Sequence, residues 1–344
     1  MRSPQHHPRL FPLRIAAMLL GIGGFLFLFP LLTSAASPEL IIYSGRSEHL
    51  VAPIITQFQD ATRIPVKVRW GKTAELAATL LEEGSNTPAD LFFAQDPGGL
   101  GAVSSLFAPL PEDILKRVDP RFRDPQKRWV GISGRARTIV YSTKRVRPEE
   151  LPTDLWGFTD PRWKGRIGWA PTNASFQTMV TAMRVLWGEA KTRQWLQGIL
   201  ANEPKVYPKN TPIVAAVGAG EIDVGFVNHY YLYRFLREEG EDFPARNYFL
   251  PSGGPGSLVM VAGAGILASS DHQEAAQKFL RFMLSPVAQQ YFATQTFEYP
   301  LVAGIRTHPD LVPLAQLKVP QIALADLADL KGTLRLLREV GALP

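Results

Sequence analysis

Cysteine is absent from all 344 residues. That excludes disulfides, thiolate metal sites, a cysteine nucleophile and a lipidated N-terminal cysteine. The six histidines form no HExxH and no i,i+4 pair, so the usual zinc-hydrolase spacing is missing. No GxSxG occurs, which removes one serine-hydrolase signature. The glycine-rich run SGGPGS at 252–257 lacks the GK[ST] of a phosphate loop and reads as a turn before a strand. Carboxylates are scattered, and no pair is placed together by spacing. An enzyme is therefore not expected. Acidic residues are missing from the first 36 positions, which hold Arg2, Arg9 and Arg14. The formal charge of +6 drops to about +3 without them, too little to indicate nucleic acid, and no basic stripe interleaved with aromatics is present.

What is there begins with the N-terminus. A positively charged start leads into an uncharged apolar run, Ile15 to Leu32, followed by TSAAS with Ser34 and Ala36 at the −3 and −1 positions. This is the layout of a secretory signal peptide cleaved after Ala36, and it predicts a periplasmic or other extracytoplasmic location. A permanent anchor is the alternative, at the lower edge of spanning length. Exported and free of disulfides, a chain of this size builds a core that needs no covalent staples.

Beyond the signal the pattern is β-α-β-α-β: ELIIYSG, then HLVAPIITQFQDAT with apolar residues at helical spacing, then IPVKVRW, TAELAATLLEEG and ADLFFAQ. RWVGISGRARTIVYS predicts a long strand pair or one bent strand. A second α/β unit follows, containing SFQTMVTAMRVLWGEA and EIDVGFV leading into NHYYLYRFLREEG. PGSLVMVAGAGILA returns to the first unit, and HQEAAQKFLRFMLSPVAQQYFA predicts a helical hairpin broken at Ser285-Pro286. The expectation is an α/β protein of two lobes joined by crossover strands, with a ligand cleft between them. The N-terminal lobe is 37–136 plus 260–311; the C-terminal lobe and tail are 137–259 plus 312–344.

Four loops at carboxyl ends of strands can present groups to such a cleft: YSGRSE, FFAQDPGG, WAPTNASF and FVNHYY. Asn173, Ala174 and Ser175 open a helix whose first N–H groups lack intrahelical partners and suit an anion, or are merely capped. Asn228 is expected to cap the helix carrying Tyr230 and Tyr231. Those tyrosines lie about 100° apart on one turn. The helix dipole would favour their phenolates, which are hard anionic oxygen ligands matched to a cation such as Fe(III). Packing as core or interfacial aromatics, together with Tyr233, is the other reading of this stretch.

The stretches YSGRSEHLVAPIITQF, PADLFFAQD, WVGISGRARTIVYST, DPRWKGRIGWAPTNASF, VYPKNT, EIDVGFVNHYY and EYPLVAG, in this order from Glu39 to Gly304, resemble the bacterial periplasmic ferric-ion-binding proteins. The resemblance implies a two-lobe type II periplasmic-binding-protein fold. It implies Fe(III) as transported ligand, a synergistic anion such as carbonate or phosphate, and an inner-membrane ABC permease as partner for a monomeric receptor. It places the iron-binding tyrosines at Tyr230 and Tyr231. It places the anion at Asn173, Ala174, Ser175, Asn210 and Asn228, with Asp96 next in line and Arg46 a further candidate. The chain departs from the family where Ser47 stands in place of a histidine, Gln95 in place of a glutamate ligand and Phe176 in place of a tyrosine. Glu48 and His49 are candidates to compensate in the N-terminal lobe. A small anionic or organic solute in the same cleft is the alternative expectation.

Overall fold

A computed structural model describes residues 39–344. The signal segment and the cleavage position at Ala36 lie outside the described residues. The first βαβ units are β1 (Leu40–Ser44), α1 (Glu48–Thr62), β2 (Val66–Trp70), α2 (Thr73–Glu83), β3 (Leu91–Ala94) and α3 (Pro97–Ala102). After α4 (Glu112–Leu115) comes the long strand β4 (Val130–Ser142), then β5 (Ile167–Trp169), α5 (Ala174–Trp187), α6 (Glu189–Ala201), β6 (Lys205–Val206) and α7 (Asn210–Gly218). The chain continues through β7 (Val224–Asn228), α8 (Tyr230–Glu239), β8 (Ala245–Tyr248), β9 (Val259–Ile266), α9 (Gln273–Met283), α10 (Pro286–Gln295), β10 (Tyr299–Pro300) and α11 (Leu330–Glu339). No helix among the described residues is long and apolar enough to cross a membrane.

The strand order is β2-β1-β3-β9-β4-β7-β5-β6, with β10 and β8 also paired to β4. β4 is one strand. It is not a strand pair, and a register shift between Gly131 and Ser133 bends it. From Val130 to Ala136 it pairs antiparallel with β9, and from Arg137 to Tyr141 with β7. One strand thus serves two half-sheets, which is the two-lobe architecture of this fold. In each half, parallel strands (β1 beside β2 and β3, β5 beside β6 and β7) are joined through helices, as the right-handed crossover of βαβ units requires. All thirteen positions of β4 are buried, since helices and neighbouring segments cover it throughout. SGGPGS supplies the turn, with a 3₁₀ segment at Pro255–Ser257 just before β9.

The helical hairpin breaks where expected. The Ser285 side chain accepts from the Ala288 amide and Pro286 sits in the first turn of α10, where no N–H is needed. The tail does not hang free: Leu336 and Leu337 of α11 join the apolar core that contains Phe176, Met179, Trp195 and Phe226. A hydrogen bond between the Thr181 and Thr333 hydroxyls, 2.7 Å long, ties α11 to α5.

Candidate metal centre

The segments that follow three strands deliver the site: β1 leads to Arg46–His49, β3 to Gln95 and Asp96, and β7 to His229–Tyr231. The turn after β1 is tight. A Cβ on Gly45 would lie 2.2 Å from the Thr73 hydroxyl oxygen, so only glycine lets the two loops approach. The cavity they enclose measures about 400 Å³. Arg46, Ser47, Glu48, His49, Gln95 and Tyr231 line it, with Asn173 and Ala174 on the opposite wall.

Tyr230 and Tyr231 open α8 with their rings stacked, centroids 4.2 Å apart. Both are buried, and the Tyr230 hydroxyl has no hydrogen-bond partner among the described residues. The dipole argument expects lowered phenol pKa values. The structure corrects this for Tyr231: burial, followed by the neighbouring Tyr230, pushes it well above the ordinary phenol value, despite opposing Arg46 and Arg135. The helix start is outweighed because desolvation acts on the whole side chain, whereas a dipole end contributes a fraction of a charge.

Asn228 is not the cap of α8. It is the last residue of β7, and His229 occupies the cap position without a side-chain cap bond. The Asn228 amide instead donates to Ser175 Oγ at 2.9 Å, and its oxygen accepts from Arg137 at 3.1 Å. His229 is locked between two backbone groups. Its Nδ1 lies 3.1 Å from the Ala136 amide, and its Nε2 lies 2.9 Å from the Phe297 carbonyl. An amide can only donate and a carbonyl only accept, so the ring is neutral with the proton on Nε2. Burial pushes its pKa down to about 4.

Asn173 caps α5, its side chain accepting from the Ser175 amide at 3.0 Å. Ser175 Oγ is a point of convergence: Gln95 Nε2 at 2.8 Å, Asn228 Nδ2 at 2.9 Å and Arg135 Nη1 at 3.3 Å all aim at it. Asn210, at the start of α7, is fully buried with neither its amide nitrogen nor its oxygen partnered among the described residues. Such orphaned groups are rare in a finished core and common where a ligand completes the bonding.

The remaining candidates separate. Asp96 caps α3 through the Gly99 amide and accepts from Thr178 at 2.7 Å; burial raises its pKa against both bonds, and it does not line the cavity. Phe176 packs edge-on against Trp169 in the core. His49 stands at the rim, with Nε2 2.6 Å from Arg234 Nη1 of α8, and burial and then Arg234 lower its pKa. Arg46 is buried and ion-paired to Glu298, which also accepts from the Ser133 hydroxyl. Burial works against the Arg46 charge, but Glu298, Tyr230 and Tyr231 outweigh it and hold its pKa above the ordinary value.

Three charged residues at this site escaped the sequence reading. Glu298 lies in the EYP segment. Arg135 and Arg137 are both fully buried in β4. Their i,i+2 spacing in an otherwise uncharged strand was the available signal, since alternate residues share one face. Among the described residues no group of three His, Asp or Glu side chains is arranged to hold a metal ion.

The profile of the bacterial extracellular solute-binding protein family matches residues 86–322. The chain belongs to this family. The solute-binding protein is 34% identical over 314 residues to a protein of Serratia marcescens named Fe(3+)-binding periplasmic protein, a match covering 90% of this chain and 92% of that one. Its fold is similar to that of iron-bound HitA from Pseudomonas aeruginosa, with a TM-score of 0.84 and 36% identity over 88% of this chain and 99% of HitA. It is also similar to a Trichodesmium protein (IdiA, FutA) in complex with iron and citrate, with a TM-score of 0.74 and 28% identity over 88% of this chain and 99% of that one. The family resemblance and the two-lobe fold read from the sequence therefore hold.

Proposed function

We propose that this solute-binding protein is a periplasmic receptor that takes up Fe(III) with a synergistic anion and delivers it to an inner-membrane ABC permease. The observation that carries the reading is the stacked, buried pair Tyr230 and Tyr231 beside a cavity, with the Tyr230 hydroxyl and both side-chain polar atoms of Asn210 unpartnered among the described residues. The names of the relatives support the iron, and the Trichodesmium complex supports an anion alongside it.

In this reading each phenol gives up its proton as Fe(III) arrives, so binding releases protons and tightens as pH rises. The anion, carbonate or phosphate, rests on the start of α5 with Asn173, Ala174 and Ser175, reached also by Asn210, Asn228 and Arg46. It offsets charge and fills coordination positions that Ser47 and Gln95 do not fill with anionic oxygen. Glu48 and His49 at the rim, together with Asp96 behind the cavity, are secondary contributors from the N-terminal lobe. The lobes, 37–136 plus 260–311 and 137–259 plus 312–344, close by bending where β4 changes partner from β9 to β7. Closure sheds water from the site, and reopening at the permease releases the ion. The protein acts as a monomer, catalyses nothing, and is exported with cleavage after Ala36.

Absorption spectroscopy tests this. Titration of iron-free protein with ferric citrate should develop a visible phenolate-to-iron band. Tyr230→Phe and Tyr231→Phe should each weaken or abolish it. A colourless wild type at saturating ferric citrate would remove the iron reading. The second reading, a small anionic or organic solute in the same cleft, is favoured by the buried Arg135 and Arg137, which find no ion-pair partner among the described residues. Thermal stabilisation by such a solute with iron chelated would support it.

A further inference from the structure

Charge at the site is unevenly built. Arg46, Arg135 and Arg137 are buried around the tyrosine pair and the start of α5. Burial and then the neighbouring Arg135 charge lower the pKa of Arg137 to about 9, which still leaves it protonated at neutral pH. Facing these three guanidinium groups are two buried carboxylates. Asp96 is committed to the Thr178 hydroxyl and the first turn of α3. Glu298 is fully buried, and its two oxygens are divided between Arg46 and the Ser133 hydroxyl. Among the described residues only Glu298 forms an ion pair with one of the three arginines.

The segment around Glu298 is held firmly. Phe297 sits at φ +56°, in the left-handed region that a non-glycine residue seldom adopts, and its carbonyl accepts from His229. Tyr299 stacks on the His229 ring with centroids 4.7 Å apart and pairs with Gly134 of β4. The three residues therefore brace the imidazole beside Tyr230 and the guanidinium facing both tyrosines.

We propose that Glu298 is a specificity-determining residue: by cancelling the Arg46 charge it biases the cleft toward a metal cation with its anion, and away from an anion alone. This rests on the ferric-iron reading above. Fe(III) with two phenolates carries one positive charge, and a dianion beside it brings the loaded site to one negative charge, whereas the same dianion alone brings two. An uncancelled Arg46 guanidinium would add to Arg135 and Arg137 and favour the free dianion more than the loaded ferric site, in a site shielded from water, where charges act strongly. Glu298 touches neither metal nor anion in this account; it acts through Arg46.

The test reads the ratio of ferric-iron to phosphate affinity, which a purely structural role would leave unchanged. Glu298→Gln keeps the size and one acceptor oxygen but removes the charge. Iron is supplied as ferric nitrilotriacetate in bicarbonate buffer and followed by the phenolate band; inorganic phosphate is titrated without iron by calorimetry. E298Q should lower that ratio roughly tenfold, phosphate tightening more than iron. The double variant R46Q/E298Q, again balanced, should return the ratio toward the wild-type value. If E298Q does not fold, the comparison of R46Q with R46Q/E298Q carries the same test, and loss of the carboxylate must again lower the ratio. An unchanged or raised ratio overturns the inference while the ferric reading stands. A wild type with no iron-dependent band overturns both.

Discussion

At the scale of single residues, partners decide protonation. His229 is the clearest case, because an amide on one side and a carbonyl on the other leave no place for a second ring proton. The native state holds it neutral down to about pH 4, whereas in the unfolded chain it takes up a proton near the ordinary histidine value of 6.5. The folded pKa is lowered, so the unfolded state binds more protons between these values. Stability is therefore complete above about pH 6.5 and falls as pH drops toward about 4, by up to ~3 kcal/mol from this group. Urea denaturation of iron-free protein at pH 7.5, 5.5 and 4 should show that slope, and His229→Gln should flatten it. Equal slopes in the two proteins would refute the assignment. Nothing in the letters NHYY announces any of this. The Ala136 amide and the Phe297 carbonyl come from 93 and 68 residues away.

At the scale of elements, two helix starts with similar caps have different work. Ser285 caps α10 far from the cavity, and Asn173 caps α5 at its wall. Ser285→Ala and Asn173→Ala should each cost about 1 kcal/mol of stability, the usual worth of a cap. Only Asn173→Ala should also weaken ferric-iron binding. Denaturation midpoints together with the iron titration check this, and equal iron binding in the two variants would make Asn173 a plain cap. The helices themselves were legible because their apolar spacing and caps are local. Asn before a helix is a good local signal for a cap, yet the tertiary pull of Ser175 and Arg137 keeps Asn228 in β7. β4 was ambiguous for a related reason: a bulge at Gly131/Ser133 and a change of neighbour at Ala136/Arg137 leave no mark that separates one bent strand from two.

At the scale of the whole molecule, β4 is shared by two half-sheets, and contacts such as Gln95 to Ser175 and Asp96 to Thr178 run between the end of β3 in one half and the first turns of α5 in the other. If the cleft closes on its ligand, small-angle scattering should show a smaller radius of gyration on saturation with ferric citrate, and Tyr231→Phe should blunt the change. An unchanged radius in a protein that turns coloured would mean that iron enters without lobe movement. The tail adds a constraint. Leu336 and Leu337 lie in the core with α5, and the Leu327 carbonyl approaches Gly98 of α3 so closely that a Cβ there would lie 3.2 Å from it. The tail thus braces the two helices whose starts meet at the site.

Composition, periodicity and motif order were sufficient for the α/β class, the two-lobe family fold, the lack of disulfides and the place of the tyrosine pair, because each depends on residues close in sequence or on their order along it. The charge state of the site was decided only by tertiary structure. Arg46 meets Glu298 across 252 residues, Gln95 meets Ser175 across 80, and Tyr231 is desolvated by packing that no local pattern encodes. Burial and long-range pairing set how strongly a charge is felt, and both are properties of the folded chain alone.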